Sequence, residues 1–461
     1  MLFSLIIINR DSNPMFKIAW LIPMLTVPVF GWLLYAMFQR RKVSVRTQKK
    51  YEAAVASAKG KLVQDEKISE SLRTESYTAY RQSEYIEATT NACIFASTHT
   101  HFYPTGEDFF PDYIESLEKA ERFIFLEYFI IEEGIMWNKV LDILKRKAKK
   151  GVDIRVMYDD MGTISLLKPK YNEYLESFGI KAAVFNPFKS SIDIFMNYRD
   201  HRKITVIDGN IAYTGGLNLS DEYINEKKRF GYWKDCAIKL EGSAVSAMTR
   251  MFLELWQFAS GIQEPKLSDF LYAKPCKDSD GYVQPFDDGP MNGHLTSELS
   301  YINILNGAEK YVYITTPYLI LDNEMITALK LAATSGIDVR IITPHIPDKW
   351  YVHAVTRSNY KCLLKFGVKI YEYTPGFVHA KTIISDDNRG IVGTANFDFR
   401  SFYMHFENSI YMYNSAAISE VKEDYIDMLA QCTRISLDDY MSEPIYKRIA
   451  GACLKIFSPL M

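Results

Sequence analysis

Cysteine is scarce in this sequence and is never closely paired. Six cysteines are scattered through 461 residues, and none of them form a C-x-x-C spacing. Isolated cysteines are typical of reduced thiols in a cytosol-facing protein, whereas disulfide frameworks and zinc sites need them in groups. We therefore expect neither a disulfide framework nor a zinc site.

A strong net charge is absent as well. The formal charge is −2 at pH 7, so the chain has no global basic field that would attract nucleic acid. A local basic groove stays possible, but we expect no nucleic-acid partner. The composition, 48% apolar and 24% charged, is that of a folded protein, and the length fits two domains after a short N-terminal segment.

Long apolar runs are rare, and only one is long enough to cross a bilayer. Residues 2–8 are apolar but too short, whereas residues 18–38 carry no charge over twenty-one positions. A transmembrane helix needs about 20 apolar residues, so the longer run predicts a membrane anchor within residues 1–40. Pro23 and Pro28 would kink this helix. A signal peptide or a buried core helix is the alternative.

Basic residues are concentrated after this run rather than before it. Only Arg10 and Lys17 precede it. The residues that follow are Arg40, Arg41, Lys42, Arg46, Lys49 and Lys50. The positive-inside rule then places the rest of the chain on the cytoplasmic side of the cell membrane. Residues 41–94 are rich in charge and predict a solvated juxtamembrane helical linker.

Strand-like and helix-like segments alternate from about residue 95. The run 122–131 is typical of a buried strand, 136–150 of an amphipathic helix, and 153–158 of a second strand. Strand–helix–strand units predict an α/β fold with a mixed sheet flanked by helices.

The same order of landmarks occurs twice, which predicts two duplicated domains. Gly151-Val-Asp-Ile-Arg-Val is repeated as Gly336-Ile-Asp-Val-Arg-Ile, and Phe178-Gly-Ile-Lys as Phe366-Gly-Val-Lys. We assign residues 95–262 to the first domain, 263–295 to a linker rich in Pro, Gly, Asp and Ser, and 296–461 to the second domain.

The tail carries an apolar stripe at helical spacing. Its members are Ile445, Ile449, Ala452, Cys453, Ile456 and Leu460. Such a stripe fits either an amphipathic helix lying on lipid or a helix packed on the protein core, and both interpretations stay open.

One motif, H-x-K-x4-D, is present in both halves. Its members are His201, Lys203 and Asp208 in the first half, and His379, Lys381 and Asp386 in the second. In each half an asparagine, Asn218 or Asn396, follows the histidine by seventeen positions. A single H-x-K match carries little information, but the repeated spacing predicts one active site built from two related halves.

These residue types suit a phosphodiester. Residues i and i+2 of a strand point to one side, so each histidine and its lysine would face one cleft. One imidazole would attack phosphorus and the other would protonate the leaving alkoxide, while lysine and asparagine bind the phosphate oxygens. The lysines supply the positive charge, so we expect no metal and no cofactor. The two motif aspartates, Asp208 and Asp386, are either catalytic acids or structural partners at the strand ends.

Three further segments extend the motifs. They are Asn197-Tyr-Arg-Asp-His201-Arg-Lys203, Tyr213-Thr-Gly-Gly-Leu-Asn218-Leu-Ser-Asp-Glu-Tyr223, and Gly393-Thr-Ala-Asn396-Phe-Asp-Phe-Arg-Ser-Phe402 followed by His405-Phe-Glu-Asn408. Together with the duplicated motif they resemble the bacterial cardiolipin synthases of the phospholipase D superfamily. The resemblance extends over nearly the whole chain.

The resemblance implies two phospholipase D-like domains and a transfer reaction between two phosphatidylglycerol molecules at an anionic membrane. It implies a phosphohistidine on His201, with His379 as the acid. It also implies a carboxylate behind each histidine: Glu407 fits this place in the second half and Asp235 in the first, although a structural ion pair is the alternative for both. The competing functions are a hydrolase of the same superfamily and a non-catalytic scaffold that binds anionic lipid. The sequence does not indicate an oligomeric state.

Overall fold

Two mixed β-sheets, one from each half of the chain, organise the protein. The computed structural model describes residues 2–10, 12–38, 43–188, 197–279 and 281–460. Helices cover both sheets, as the α/β prediction requires. Residues 39–42, which hold three of the basic residues after the predicted membrane span, lie outside the described residues.

Six helices precede the first sheet. They are α1 (Leu2–Ile8), α2 (Pro14–Thr26), α3 (Pro28–Phe38), α4 (Val45–Ala58), α5 (Glu66–Glu75) and α6 (Tyr77–Thr90). The structure does not support the prediction of one continuous transmembrane helix over residues 18–38, because the helix is interrupted at Val27. Pro28 has no N–H group to continue α2, and it begins α3 instead.

The two apolar helices α2 and α3 fold back on each other. The rings of Trp20 and Tyr35 lie 5.5 Å apart, whereas fifteen residues of straight helix would span about 22 Å. Gly31 permits the close approach, since a Cβ there would lie 2.4 Å from the carbonyl oxygen of Pro23. Within the described ranges, no helix is both long enough and apolar enough to cross a membrane.

The helices α4 to α6 differ from the solvated linker that we predicted. Tyr51 of α4 packs edge-on against Phe258, and Ala54 and Ala58 are buried with it. Leu72 and Ile86 of the following helices are fully buried in the core of the second half. The charged residues therefore cover only the outer face, and the segment is part of the globular body.

The described residues of the first half form nine strands and five α-helices. They are β1 (Thr98–Tyr103), α7 (Gly106–Lys119), β2 (Phe123–Tyr128), α8 (Ile135–Lys149), β3 (Asp153–Asp159), α9 (Asp160–Thr163), α10 (Tyr171–Glu176), β4 (Lys181–Phe185), β5 (Arg199–Asp200), β6 (Lys203–Ile207), β7 (Ile211–Gly215), β8 (Tyr232–Lys234), β9 (Ala237–Gly242) and α11 (Val245–Ser260). The sheet order is β1-β9-β7-β6-β2-β3-β4. Strands β2, β3 and β4 are parallel, and β6 runs antiparallel to β2.

The second half repeats this arrangement. It contains β10 (Tyr282–Asp288), α12 (Thr296–Asn306), β11 (Tyr311–Thr315), β12 (Leu319–Ile320), α13 (Asn323–Thr334), β13 (Asp338–Pro344), α14 (Trp350–Leu364), β14 (Lys369–Tyr373), β15 (Gly376–Val378), β16 (Thr382–Ser385), β17 (Arg389–Gly393), β18 (Phe397–Asp398), α15 (Phe399–Tyr403), β19 (His405–Tyr413), α16 (Ala416–Leu429), β20 (Cys432–Ile435), α17 (Leu437–Ser442) and α18 (Ile445–Lys455). The order β10-β19-β17-β16-β11-β13-β14 matches the first sheet strand for strand, and β20 extends its edge. Strand β10 lies inside the stretch 263–295 that we interpreted as a linker.

Short strands join the two halves at a shared seam. β5 of the first half pairs with β19 of the second, and β15 of the second half pairs with β8 of the first. These two pairings are equivalent under the duplication, because β5 and β15 each lead directly into the histidine of their motif. The seam therefore brings the two motifs together.

Candidate active site

The two motifs face one cavity at the seam. Its volume is about 670 Å³, and His201, His379, Asn218 and Asn396 all line it. The backbone fixes both histidines, because the N–H of His201 donates to the carbonyl of Phe406 and that of His379 to the carbonyl of the residue before Asp235. Each histidine is thus held by the opposite half.

The imidazole of His201 rests on a buried carboxylate. Its Nδ1 lies 3.0 Å from both Oε1 and Oε2 of Glu407. Thr394 donates its hydroxyl to the same carboxylate at 2.5 Å. With Nδ1 engaged, Nε2 is the nitrogen left for chemistry in the cavity.

The imidazole of His379 has the matching partner. Its Nδ1 lies 2.7 Å from Oδ2 of Asp235, and the Nζ of Lys381 lies 2.9 Å from the same nitrogen. The carboxylate fits only because residue 216 is glycine: a Cβ there would lie 1.9 Å from Oδ1 of Asp235.

The pairing of histidines and carboxylates crosses between the halves. From the sequence we placed Glu407 and Asp235 each with the histidine of its own half. The structure exchanges them, so that Glu407 contacts His201 and Asp235 contacts His379. The exchange follows from the seam, because β19 and β8 carry the carboxylates across to the other half.

The two lysines are buried beside the histidines. Nζ of Lys203 donates to the carbonyl of His201 at 2.6 Å, and Nζ of Lys381 donates to the carbonyl of His379. Burial, opposed by Glu407 and reinforced by the neighbouring Lys381, lowers the pKa of Lys203 to about 7. Burial likewise lowers the pKa of Lys381. An anion bound in the cavity would raise the pKa of both lysines and favour their charged forms.

The same electrostatics keep the imidazoles neutral and the carboxylates charged. Burial lowers the pKa of His201 to about 3 and that of His379 to about 4, although Glu407 and Asp235 act in the opposite direction. Burial alone would raise the pKa of Glu407, but His201 and its hydrogen bonds hold it well below the usual range. The pKa of Asp235 is lowered in the same way. Without substrate, both histidines are available as bases or nucleophiles.

The two asparagines line the cavity but differ in their hydrogen bonds. Nδ2 of Asn218 donates to the hydroxyl of Tyr223 at 2.7 Å, and its Oδ1 accepts from the N–H of Ile130. Nδ2 of Asn396 donates to Asp398 at 3.1 Å. Both amides are held in place by neighbours, so binding phosphate through them remains a prediction.

The motif aspartates lie at the far ends of their strands. The carboxylate of Asp208 accepts from the backbone N–H groups of residues 121, 122 and 123 at 2.7–2.9 Å. That of Asp386 accepts from residues 309, 310 and 311 in the same manner. Both have a positive φ, 55° and 56°, at a tight turn. Neither lines the cavity, so we withdraw the assignment of Asp208 and Asp386 as catalytic acids in favour of the structural alternative.

Sequence reasoning missed the side chains that surround the histidines. His405 lies on β19 two residues before Glu407, and its ring is 5.3 Å from that of His201. Trp233 holds the corresponding place beside His379, with a ring distance of 5.4 Å. The two-residue spacing to each carboxylate was the available signal, since such residues share a strand face.

One group of side chains has ligand atoms close enough to hold a metal ion. Within the described part of the chain, His201, His405 and Glu407 bring such atoms within 4.8 Å of one another. Both oxygens of Glu407 are already engaged by Nδ1 of His201. These hydrogen bonds orient His201 and Glu407 relative to each other within the group.

Two related α/β halves with a shared H-x-K site define the phospholipase D class of phosphodiester-processing proteins. A family model described as "Cardiolipin synthase, PLD-like domain" matches residues 113–256 and 301–429. A second, described as "Phospholipase_D-nuclease N-terminal", matches residues 1–40. The chain belongs to the cardiolipin synthase family of the phospholipase D superfamily, and the enzyme class of that family is phosphatidyltransferase.

Full-length relatives support this assignment. A protein of Alkalihalophilus pseudofirmus named cardiolipin synthase is 34% identical over 99% of this chain and 91% of its own length. A Bacillus anthracis protein named cardiolipin synthase 2 is 34% identical over 100% of this chain and 90% of its own. The crystal structure of a phosphatidylserine synthase from Haemophilus influenzae superimposes with a TM-score of 0.63 at 14% identity, covering 83% of this chain and 97% of that one, and shows the same fold.

Proposed function

We propose that this protein transfers a phosphatidyl group from one phosphatidylglycerol to a second, forming cardiolipin and releasing glycerol. The observation that carries the proposal is the pair of carboxylate-backed imidazoles, His201 and His379, on one cavity. Two imidazoles of different role are what a double displacement at phosphorus requires.

The first step forms a phosphohistidine. Nε2 of His201 attacks phosphorus, and the bond from phosphorus to the glycerol oxygen breaks. His379 gives a proton to that oxygen, and glycerol leaves. Glu407 stabilises the imidazole that gains positive character, because it accepts a hydrogen bond from Nδ1.

The second step reverses the proton transfer. The hydroxyl of a second phosphatidylglycerol approaches the phosphorus, and the now neutral His379 takes its proton. The alcohol oxygen forms the new bond to phosphorus as the bond from phosphorus to Nε2 of His201 breaks. The products are cardiolipin and the free imidazole, so the enzyme is restored.

The role of His379 as an acid depends on the bound anion. Burial holds its pKa near 4 in the free protein, which disfavours the protonated form. A phosphodiester in the cavity adds a negative charge close to both imidazoles, and this raises the pKa of each. Protonation of His379 is therefore coupled to substrate binding, and Asp235 stabilises the imidazolium that results.

The shape of the cavity is consistent with a bulky lipid substrate. Aromatic side chains, among them Phe129, Phe230 and Phe377, form much of its wall, and both histidines line the same cavity. We place the protein at the cell membrane with its catalytic halves on the cytoplasmic side. The N-terminal family match and the exposed apolar residues of α2 and α3, such as Leu25 and Val29, support this location.

The competing function is hydrolysis, in which water replaces the second lipid. The deciding experiment supplies labelled phosphatidylglycerol in detergent micelles and separates the lipid products. We expect cardiolipin and glycerol; phosphatidic acid as the only product would identify a hydrolase instead. A His201→Ala variant that still binds lipid but forms no product would exclude the third reading, a non-catalytic scaffold.

A further inference from the structure

A second cavity lies beside the catalytic one, between α14, α17 and α18. Its volume is about 540 Å³. The walls are largely apolar and include Trp350, Ala354, Tyr440, Tyr446 and Gly451. Helices α14 and α18 approach closely at Gly451, where a Cβ would lie 2.8 Å from the carbonyl oxygen of Ala354. The close packing of α14 and α18 at Gly451 thus forms one boundary of the cavity.

Basic side chains also line this cavity, and Arg448 donates from Nη1 to the sulfur of Met441 at 3.3 Å. The Nε of Arg448 and the Nε2 of His353 are buried, and neither has a hydrogen-bond partner among the described residues. No acidic side chain in the described ranges forms an ion pair with Arg448 or with its neighbour Lys447, whereas Arg357 is neutralised by Glu443. Buried donors without acceptors favour an anionic ligand that can accept from them.

The first turn of α14 separates the two cavities. Tyr351 and Val352 line the catalytic cavity, and Trp350 and His353 line the second one. A ligand in the second cavity would therefore lie across α14 from the catalytic cavity. This position is suited to a molecule that is chemically like the substrate.

The outer surface of the helix pair is apolar. Trp350 is 70% exposed, and Ile445, Tyr446 and Ile449 of α18 are 66%, 67% and 56% exposed. The tail helix thus packs on α14 through Gly451 and still presents apolar residues to the outside.

The N-terminal helices continue this surface. Met15 and Phe16 at the start of α2 pack beside Leu454 of α18, against a cluster that contains Val352 and Val355. Helices α2 and α18 therefore pack against the same cluster, and one member of that cluster, Val352, lines the catalytic cavity.

We propose that the cavity between α14 and α18 binds one anionic phospholipid, with its phosphodiester on Arg448 and Lys447 and part of an acyl chain along Trp350 and Tyr446, while the surrounding apolar face rests on the lipid surface. The inference rests on the proposed function, because it concerns how a lipid substrate reaches that active site. It adds a lipid-binding position outside the catalytic cavity.

The test uses the full chain with His201→Ala, so that bound lipid is not consumed. The protein is placed in neutral detergent micelles with phosphatidylglycerol that carries a photoactivatable group on its acyl chain, and labelled peptides are mapped. We expect label in α18 around residues 446–451 and, separately, in peptides of the catalytic cavity. The two peptide sets distinguish this proposal from the proposed function, since either can be labelled without the other.

Matched variants identify the groups that bind the phosphodiester. Arg448→Gln and Lys447→Gln should each lower labelling of α18 about fivefold, the effect of one basic residue at an anionic lipid surface, and leave labelling of the catalytic cavity unchanged. Lys361→Gln, on α14 and outside the lining of the cavity, is the control and should leave both sets unchanged.

Further arms separate the possible ligands. Zwitterionic phosphatidylcholine with the same photoactivatable chain should label α18 weakly, and inorganic phosphate at millimolar concentration should not compete with phosphatidylglycerol. Equal labelling by the two lipids, or label in α18 that survives both substitutions, would overturn the proposal. A detergent-stable dimer crosslinked through α18 would assign the cavity to a second copy of the chain instead.

Discussion

The surroundings of His201 and His379 differ although the two backbones are equivalent. Two residues before His201 lies Arg199, which is paired with Asp159, whereas the equivalent place before His379 holds Phe377. His405 stands beside His201 where the other half has Trp233. The two imidazoles therefore differ in their ring neighbours: His201 lies beside a second histidine, whereas His379 lies beside Trp233 and Phe377.

This difference suggests how two equivalent histidines in a duplicated site can take different roles. The duplication supplies two equal imidazole–carboxylate pairs, and the flanking residues then make them unequal. His405 lowers the pKa of His201, which favours the unprotonated imidazole that attack by Nε2 would require. The ring faces around His379 stabilise an imidazolium through cation–π contact. These environments agree with His201 as the nucleophile and His379 as the acid.

Removing the two histidines in turn should break the symmetry most strongly. We expect His201→Ala to lower turnover by about 10⁴–10⁶-fold, as for loss of a catalytic nucleophile, and His379→Ala by about 10²–10⁴-fold, as for loss of a general acid. Mass spectrometry of protein quenched with substrate measures the phosphohistidine. It should be present in His379→Ala and absent in His201→Ala; the reverse pattern would exchange the two roles.

The carboxylates should give the next largest effects. Glu407→Gln and Asp235→Asn should each lower kcat by about 10²–10⁴-fold, because the imidazole loses both its orientation and its counter-charge. Glu407→Gln should slow mainly the first step, in which the phosphohistidine forms and glycerol leaves. Asp235→Asn should slow both this step and the transfer to the second lipid, because His379 handles a proton in each. Single-turnover assays with labelled lipid separate the two steps. Equal effects of both variants on both steps would argue against separate roles for the two pairs.

His405 offers a smaller and more specific test. His201 must be unprotonated to attack, so activity falls as the pH drops through its pKa. Removing His405 with His405→Asn takes away a group that lowers this pKa, so the acidic limb of kcat/KM against pH should move to higher pH. At neutral pH we expect a loss of about tenfold or less, below the usual contribution of a direct acid or base.

A surface histidine serves as the control for that experiment. His101 contacts Glu420 at 3.1 Å on the outer face, and His101→Asn should leave the pH profile unchanged. A profile of His405→Asn that overlays the wild type would remove His405 from the proposed division of roles.

The motif aspartates should show no difference between the halves. Asp208→Ala and Asp386→Ala each remove the acceptor of three backbone N–H groups, and each should lower the free energy of unfolding by about 1–3 kcal/mol. Denaturant unfolding measures this loss. Turnover per folded molecule should stay within about twofold, and a loss like that of His379→Ala would return these residues to a catalytic role.

Chelation should have the smallest effect of all. The proposed mechanism uses buried lysines for charge stabilisation, so EDTA should leave the rate of product formation unchanged. An EDTA-sensitive rate that added divalent metal restores would contradict this, and it would draw attention to the group of His201, His405 and Glu407.

Local patterns were the part of this molecule that the sequence predicts well. The repeated H-x-K-x4-D spacing and the repeated strand landmarks are short-range features, and they were sufficient for the duplicated α/β fold and for the meeting of His201 with His379. Contacts between distant segments were not predictable in this way. The exchange of Glu407 and Asp235 depends on strands paired across 206 and 144 residues.

The N-terminal segment shows the same limit. Hydropathy predicted one helix over residues 18–38, but the average over a run does not show that Pro28 begins a second helix packed on the first. Charge predicted a solvated linker, but the apolar residues Tyr51 and Leu72 are spaced to reach cores contributed by other parts of the chain. In both cases tertiary packing decided the outcome.

The crossed pairing has a consequence for the unity of the chain. Each half contributes one histidine and one carboxylate, but each histidine is paired with the carboxylate of the other half. An isolated half would therefore lack the partner of its histidine and of its carboxylate. A single-repeat ancestor would have needed a second copy of the chain to complete either pair. Gene fusion in such a lineage would preserve an obligatory partnership rather than add a second independent catalyst.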